Sequence, residues 1–162
     1  MFDLSVVRTE SKKAMYEDMN DFITGLLFEE RDAIANMSNV ASLLYHILPE
    51  VNWAGFYLFK EETLVLGPFH GKPACIRITI GRGVCGTAAS SQKTQLVNDV
   101  HGFKGHIACD GDTNSEIVIP MVKEGRLIGV LDLDSPIKAR FNEEDQVALE
   151  AIVETLLAGS DV

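Results

Sequence analysis

The sequence contains no pair of cysteines spaced as C-x-x-C, and only three cysteines occur in 162 residues: Cys75, Cys85 and Cys109. An odd number of cysteines is a poor basis for a disulfide framework. The missing C-x-x-C spacing argues against zinc-ribbon and thioredoxin-like motifs. The three thiols are therefore candidates for reactive, metal-binding or simply buried side chains.

Basic residues are also scarce. The chain has 14 Lys and Arg against 24 Asp and Glu, which gives a formal net charge of −10. Binding to nucleic acid calls for a basic stripe along the phosphates, and binding to an anionic membrane surface calls for a basic patch. We therefore expect neither nucleic acid nor a membrane as a partner.

Long apolar runs are absent as well. No segment approaches the roughly 20 apolar residues of a membrane span, and the start "MFDLSVVRTESKK" lacks the pattern of a signal peptide. The composition, 46% hydrophobic and 23% charged, is typical of a globular protein. We expect one domain covering residues 1–162, located in the cytoplasm.

The periodicity of apolar residues predicts helices at both ends and strands between them. Residues 12–28, 31–47 and "FNEEDQVALEAIVETLLAG" have a helical period, and "GRGVCGTAASSQ" resembles a glycine-rich turn that enters a short helix. The predicted strands are "NWAGFYLFK", "EETLVLGPF", "ACIRITI", "TQLVND" and the two halves of "EIVIPMVKEGRLIGVLDLDSP" around Glu124-Gly125. The pattern predicts an α+β fold: a mostly antiparallel six-stranded sheet, with the terminal helices on one face and a loop-covered pocket on the other.

Strand alternation divides the polar and apolar side chains between the two faces. The predicted pocket face carries Glu116, Asp132, Asp134, Trp53 and Tyr57. In the last strand the alternation puts Ile128 and Val130 with these acids, and Leu127, Leu131 and Leu133 on the helix face. An exposed, solvated sheet face is the alternative explanation for alternating acids. The long loop from residue 101 to 115 favours a covered pocket.

Each cysteine has a different sequence context. Cys75 lies on a predicted strand, where a cysteine can simply be a small buried side chain. Cys85 begins a predicted helix. Either the helix dipole lowers the pKa of this thiol, or the tight Gly83–Gly86 turn requires a small residue there. Cys109 lies in the polar stretch "ACDGDTNS" and is best explained as a reactant. A metal site at His101, His106 and Cys109 is a further alternative, although the spacing matches no common template.

Four motifs occur in order: "GVCGTAA", "DVHGFKGHIACD", "NSEIVIP" and "GVLDLDS". Together with the spacing of the cysteines, the stretch from about residue 53 to 141 strongly resembles the free methionine-(R)-sulfoxide reductases, which are built on a GAF domain. The resemblance implies a GAF-like fold and an oxidoreductase that acts on sulfur, without a cofactor or metal. It also implies thioredoxin as the reductant, a homodimer, and a role in repair after oxidative stress.

The resemblance carries over to individual residues. It implies that Cys109 is the attacking thiol and that the other redox cysteines are Cys75, the usual resolving partner, and Cys85. It further implies substrate-binding carboxylates and an aromatic wall, which correspond to Glu116, Asp132, Asp134, Trp53 and Tyr57.

The implied reaction reduces free L-methionine (R)-S-oxide to methionine. A sulfenic acid forms on Cys109, an intramolecular disulfide follows, and thioredoxin restores the thiols. We expect Glu116 and Asp134 near the sulfoxide oxygen and Asp132 near the substrate ammonium. A non-catalytic GAF module that senses a small molecule is the alternative function.

Overall fold

The computed structural model describes residues 2–162. The helices are α1 (Lys12–Leu26), α2 (Ala33–Ile47), α3 (Gly83–Ser91) and α4 (Glu143–Ala158), with single 3-10 turns at Leu4–Val6 and Val100–Gly102. The strands are β1 (Trp53–Lys60), β2 (Thr63–Gly71), β3 (Arg77–Thr79), β4 (Gln95–Val97), β5 (Ser115–Lys123) and β6 (Arg126–Ser135). No helix within this described range is both long and apolar enough to cross a membrane.

The six strands form one sheet in the order β3-β2-β1-β6-β5-β4, and every neighbouring pair is antiparallel. Strands β5 and β6 are joined by a tight turn in which Glu124 (φ 52°) and Gly125 (φ 77°) both adopt positive φ. Such turns match the right-handed twist of a hairpin. The predicted antiparallel α+β sheet and the turn at this position are confirmed.

Helices α1, α2 and α4 cover one face of the sheet. The fully buried side chains there include Met19 and Ile23 of α1, Leu44 of α2, Phe56 of β1 and Leu131 of β6, each 0% exposed. Burying a large apolar side chain contributes about 1.5–3 kcal/mol, so this layer is the main source of stability. The opposite face of the sheet is left for α3 and the loops.

A β-bulge interrupts the alternation at the start of β6. Met121 pairs with Gly129 and Val122 pairs with Leu127, so Ile128 is an extra residue without a partner on β5. Ile128 packs against the helix-side core, and Leu127 packs against the cluster on the other face. The face predictions for these two residues are wrong because the inserted residue reverses the alternation before it. Beyond the bulge the alternation holds.

The N-terminus of α4 is tied to α1 through a buried carboxylate. The side chain of the N-cap residue, Asn142, accepts hydrogen bonds from the backbone N–H groups of Glu144 and Asp145, and Asp145 in turn accepts from the N–H of Asn142 at 2.9 Å. The same Asp145 carboxylate accepts from Lys12 Nζ at 2.6 Å and from the Tyr16 hydroxyl at 2.8 Å. These bonds fix the two terminal helices against each other.

Helix α3 packs so closely on β3 that one position excludes a side chain. A Cβ atom at Gly86 would lie 2.5 Å from the Thr79 carbonyl oxygen and 3.1 Å from the Gly81 nitrogen. We expect Gly86→Ala to lower the free energy of unfolding by about 1–3 kcal/mol, because α3 must move away from the backbone of β3. Urea denaturation would measure the change, with Gly102→Ala as the control, since a Cβ at Gly102 meets nothing within 4 Å. Equal stability of both variants would contradict this packing argument.

Candidate active site

The register of three central strands gathers the polar residues of the sheet. Trp53 on β1 lies opposite Asp134 on β6, and Asp134 lies opposite Glu116 on β5. In the adjacent row, Asp132 lies between Gly55 and Val118. Because residues in register share a face, the three acids come together there. We call Glu116, Asp132 and Asp134 the acid cluster.

The acid cluster is withdrawn from water, and its members hold protons unusually tightly. Glu116 and Asp132 are each only 6% exposed. Burial, followed by repulsion from Asp132 and Asp134, raises the pKa of Glu116 well above its ordinary value. Burial raises the pKa of Asp132 to about 7, and burial with repulsion from Asp132 and Asp110 raises the pKa of Asp134 well above its ordinary value. The solvated-face alternative is therefore wrong, and the cluster carries protons at neutral pH.

A cavity of about 40 Å³ lies over the acid cluster. It is lined by Trp53, Tyr57, Lys72, Pro73, Ala74, Ile78, Arg82, Gly83, Val84, Cys85, His106, Ile107, Cys109, Asp110, Thr113, Glu116, Asp132 and Asp134. The wall therefore combines aromatic rings, carboxyl groups and two thiol-bearing positions in one small space.

The aromatic wall is held rigidly. The Trp53 ring stacks on Phe69 with centroids 5.3 Å apart, and its Nε1 donates a hydrogen bond to the Lys72 carbonyl at 3.1 Å. The Tyr57 hydroxyl donates to the Cys75 carbonyl at 2.9 Å. The two aromatic residues therefore also support the segment that leads to Cys75.

The loop of residues 103–114, which we call the lid loop, covers the cavity and carries the exposed Cys109. A disulfide joins Cys109 to Cys75, whose Cα atom is 5.7 Å away. A second link is ionic, because Lys72 Nζ lies 2.7 Å from Asp112 Oδ2 and 3.6 Å from Asp110 Oδ2. The lid loop is thus attached twice to the segment before β3.

Cys75 lies outside the strand on which it was predicted. Cys75 is only partly buried and precedes β3, which spans Arg77–Thr79 instead of the whole stretch from 74 to 80. Cys75 lies before β3, next to the lid loop, where its disulfide to Cys109 forms. Cys75 packs against the pocket-side cluster, as predicted, and is also bonded to Cys109.

Cys85 is the free cysteine of the structure, and it is buried. Its Sγ lies 3.9 Å from Glu116 Oε1, within reach for a thiol hydrogen bond. Burial, followed by the negative charges of Asp132, Glu116 and Asp134, raises the pKa of this thiol well above its ordinary value. Of the two interpretations of Cys85, the lowered pKa is wrong, because burial beside three acids outweighs a helix dipole worth about 1 kcal/mol or less.

The histidines do not form the metal site considered from the sequence. His101 Nε2 lies 3.1 Å from Asn114 Oδ1, whereas His106 Nε2 lies 3.8 Å from Glu116 Oε2. Burial, with a smaller contribution from His101, lowers the pKa of His106, which keeps the ring neutral at pH 7. Within residues 2–162, three or more ligand atoms of His, Cys, Asp or Glu approach within 4.8 Å only at Cys85, Glu116 and Asp132.

Thr113 and Lys72 are two of the cavity residues that the sequence did not predict. Thr113 is 4% exposed and lines the cavity, and Lys72 anchors the lid loop. Neither had a sequence signal, because both lie in irregular segments where no periodicity indicates the direction of a side chain.

Comparison with known proteins gives consistent matches. A sequence profile of the GAF domain matches residues 35–157, a range that contains every residue lining the cavity. The free methionine-R-sulfoxide reductase of Escherichia coli K12 is 49% identical over 154 residues, covering 93% of each chain.

Two solved structures extend the comparison. The fRMsr of Staphylococcus aureus in complex with substrate has a TM-score of 0.86 at 49% identity, covering 89% of this chain and 94% of that one. The free methionine-R-sulfoxide reductase of Neisseria meningitidis in complex with its substrate has a TM-score of 0.91 at 40% identity, covering 94% and 92%. The sequence resemblance is thereby confirmed.

Proposed function

Since the chain belongs to the free methionine-R-sulfoxide reductase family of GAF domains, we propose that it reduces free methionine (R)-S-oxide to methionine. The observation that carries this proposal is the position of Cys109. It lies on the lid loop, bonded to Cys75, and lines the same cavity as the buried acid cluster. A thiol supplies the electrons for sulfoxide reduction, and protonated carboxyl groups supply the proton.

In the proposed first step, the reduced Cys109 thiolate attacks the electrophilic sulfur of the sulfoxide. The sulfur–oxygen bond breaks only if the oxygen is protonated, because oxide is a very poor leaving group. Glu116 and Asp134 are the proposed donors, since their raised pKa values keep a proton available at neutral pH. The oxygen leaves as water, which gives a sulfonium bonded to Cys109. Water then attacks the Cys109 sulfur, the sulfur–sulfur bond breaks, methionine leaves with the electron pair, and Cys109 becomes a sulfenic acid as a proton is released.

Binding of the free amino acid is proposed to use three parts of the cavity. Asp132 receives the substrate ammonium, and Trp53 contacts the S-methyl group. The substrate carboxylate lies at the N-terminus of α3, where Arg82 provides no side-chain cap and the first N–H groups remain available. A methionine sulfoxide inside a peptide lacks both charges and is not accepted.

Resolution of the sulfenic acid follows from the cysteine pairing. The Cys75 thiol attacks the Cys109 sulfur, water leaves, and a disulfide forms. The Cα separation of 5.7 Å is within the range that a disulfide needs. We assign Cys75 as the resolving thiol, while Cys85, a second redox cysteine of the family pattern, remains buried against Glu116.

The wider setting of the reaction is also proposed. Residues 1–162 form a single GAF domain that works in the cytoplasm as a homodimer and repairs methionine oxidised under stress. Thioredoxin reduces the Cys75–Cys109 disulfide by thiol exchange, for which the exposed Cys109 is accessible.

Incubation of the protein with racemic free methionine sulfoxide and dithiothreitol tests the proposal. We expect chiral chromatography to show loss of the R epimer alone, with an equal amount of methionine formed, because the cavity fixes one face of the sulfur toward Cys109. A methionine sulfoxide inside a peptide serves as the control and stays unchanged. Binding of the amino acid without release of methionine would instead support the sensing module.

A further inference from the structure

Three ligand atoms of different residues converge at the bottom of the cavity. The Cys85 Sγ, one carboxylate oxygen of Glu116 and one of Asp132 all lie within 4.8 Å of one another. All three residues are buried. We call them the ligand triad. In the proposed reaction Cys85 neither attacks the substrate nor resolves the sulfenic acid, so the triad needs its own explanation.

We propose that the ligand triad binds a thiophilic divalent cation such as Zn²⁺ and that the bound ion blocks the substrate cavity. Zinc takes thiolate, imidazole and carboxylate ligands in tetrahedral geometry. With Zn–S near 2.3 Å and Zn–O near 2.1 Å, the sulfur and oxygen of such a site are about 3.6 Å apart. The observed distance from Cys85 Sγ to Glu116 Oε1 is 3.9 Å.

Buried oxygen atoms without hydrogen-bond partners around the triad also favour a bound cation. Asp132 is more than nine-tenths buried, and its Oδ1 has no hydrogen-bond partner among the described residues. Thr113 Oγ1, which belongs to the same cavity, is likewise buried without a partner in that part of the chain. No lysine or arginine of residues 2–162 forms a salt bridge with the acid cluster. A buried acceptor without a donor is costly, and a cation that displaces the protons of the cluster would satisfy it.

A histidine lies beside the triad, outside the group of atoms within 4.8 Å of one another. His106 Nε2 is 3.8 Å from Glu116 Oε2, on the side of the cavity covered by the lid loop. A neutral imidazole is a common zinc ligand. The proposed site shares Glu116 and Asp132 with the proposed substrate site, so ion and substrate exclude each other.

The disulfide makes it possible to distinguish zinc binding at the ligand triad from zinc binding at the reactive thiols Cys75 and Cys109. In the oxidised protein Cys75 and Cys109 are bonded, and Cys85 is the remaining thiol of the chain. The proposal therefore predicts that the oxidised protein binds the ion. Zinc binding at the reactive thiols would require reduction first.

Titration of chelator-treated, oxidised protein with Co²⁺ tests the proposal. We expect a thiolate-to-cobalt charge-transfer band that saturates at one equivalent and disappears when Zn²⁺ is added. Cys85→Ser should lose the band and weaken Zn²⁺ binding by at least about 100-fold. Asp132→Asn, which keeps the thiol, should weaken binding to a similar extent. The double variant Cys75→Ser/Cys109→Ser should keep the band.

Two results would overturn the proposal. One is the absence of the band in the oxidised wild-type protein, and the other is a band of equal strength in Cys85→Ser. Adding free methionine sulfoxide to the cobalt-loaded oxidised protein tests the blocking role. We expect the substrate to diminish the band as it displaces the ion, and an unchanged band at saturating substrate would overturn the claim that the ion blocks the cavity.

Discussion

Cys109→Ser is expected to reduce the rate of methionine formation by more than about 1,000-fold, because a serine hydroxyl is a far weaker nucleophile toward sulfur than a thiolate. The loss should appear in the first turnover as well as in the steady state. Rapid-quench measurement of methionine per chain, with dithiothreitol as the reductant, would measure both. Substrate binding, followed by Trp53 fluorescence, should persist, because Trp53 and the acid cluster lie on the sheet and not on the lid loop.

Cys75→Ser is the matched comparison, since it removes the other half of the same disulfide. This variant should form one methionine per chain at the normal rate and then stop at the Cys109 sulfenic acid when thioredoxin is the reductant. A dimedone adduct on Cys109 would identify the trapped species. Full activity in Cys109→Ser, or a missing first turnover in Cys75→Ser, would contradict the assigned roles.

Asp132→Asn is expected to make the protein more stable at pH 8 while weakening its use of substrate. The pKa of Asp132 is about 7 in the folded protein, against an ordinary value of 3.8. Below pH 4 both folded and unfolded chains bind this proton, so the contribution of Asp132 to stability is fully present. As the pH rises from about 4 to 7, the unfolded chain has released this proton while the folded chain still holds it, so the free energy of unfolding falls, and above pH 7 the loss is complete. The asparagine should therefore recover on the order of 2–4 kcal/mol at pH 8.

The same substitution should impair catalysis, although it stabilises the fold. Loss of the ion pair with the substrate ammonium should raise KM by about 10- to 100-fold. Denaturation at pH 5 and pH 8 would show a flatter dependence of stability on pH than in the wild type. Asp21→Asn, the same charge change at an exposed position of α1, is the control and should leave KM unchanged. A pH dependence of stability in Asp132→Asn that matches the wild type would contradict the argument.

The sheet and the shared face of Glu116, Asp132 and Asp134 were predictable, because both follow from the alternation of side chains along each strand. A period of two along β1 and β6 is visible in the sequence, and the hairpin turn at Glu124-Gly125 aligns β5 with β6. Once the strands are in register, Glu116 and Asp134 must face each other.

The remaining features depend on contacts between distant segments. The bulge at Ile128 has no sequence signal because it arises from pairing with β5. The environment of Cys85 depends on two strands that follow it by about 30 and 50 residues, so a prediction from the local helix dipole had the wrong sign. The partnership of Cys75 with Cys109 was given by the family resemblance, since spacing alone left several pairings open.

Because Lys72 also binds the lid loop, reduction of the disulfide does not by itself release the loop. When the sulfur–sulfur bond opens, Asp110 and Asp112 still bind Lys72, whose side chain is 65% exposed. An exposed pair of this kind is screened by dissolved ions, with a Debye length near 8 Å at physiological ionic strength. In the reduced protein the proposed nucleophile, Cys109, therefore stays near the cavity through an ion pair that breaks and re-forms easily. The frequency with which the lid loop opens should depend on the salt concentration.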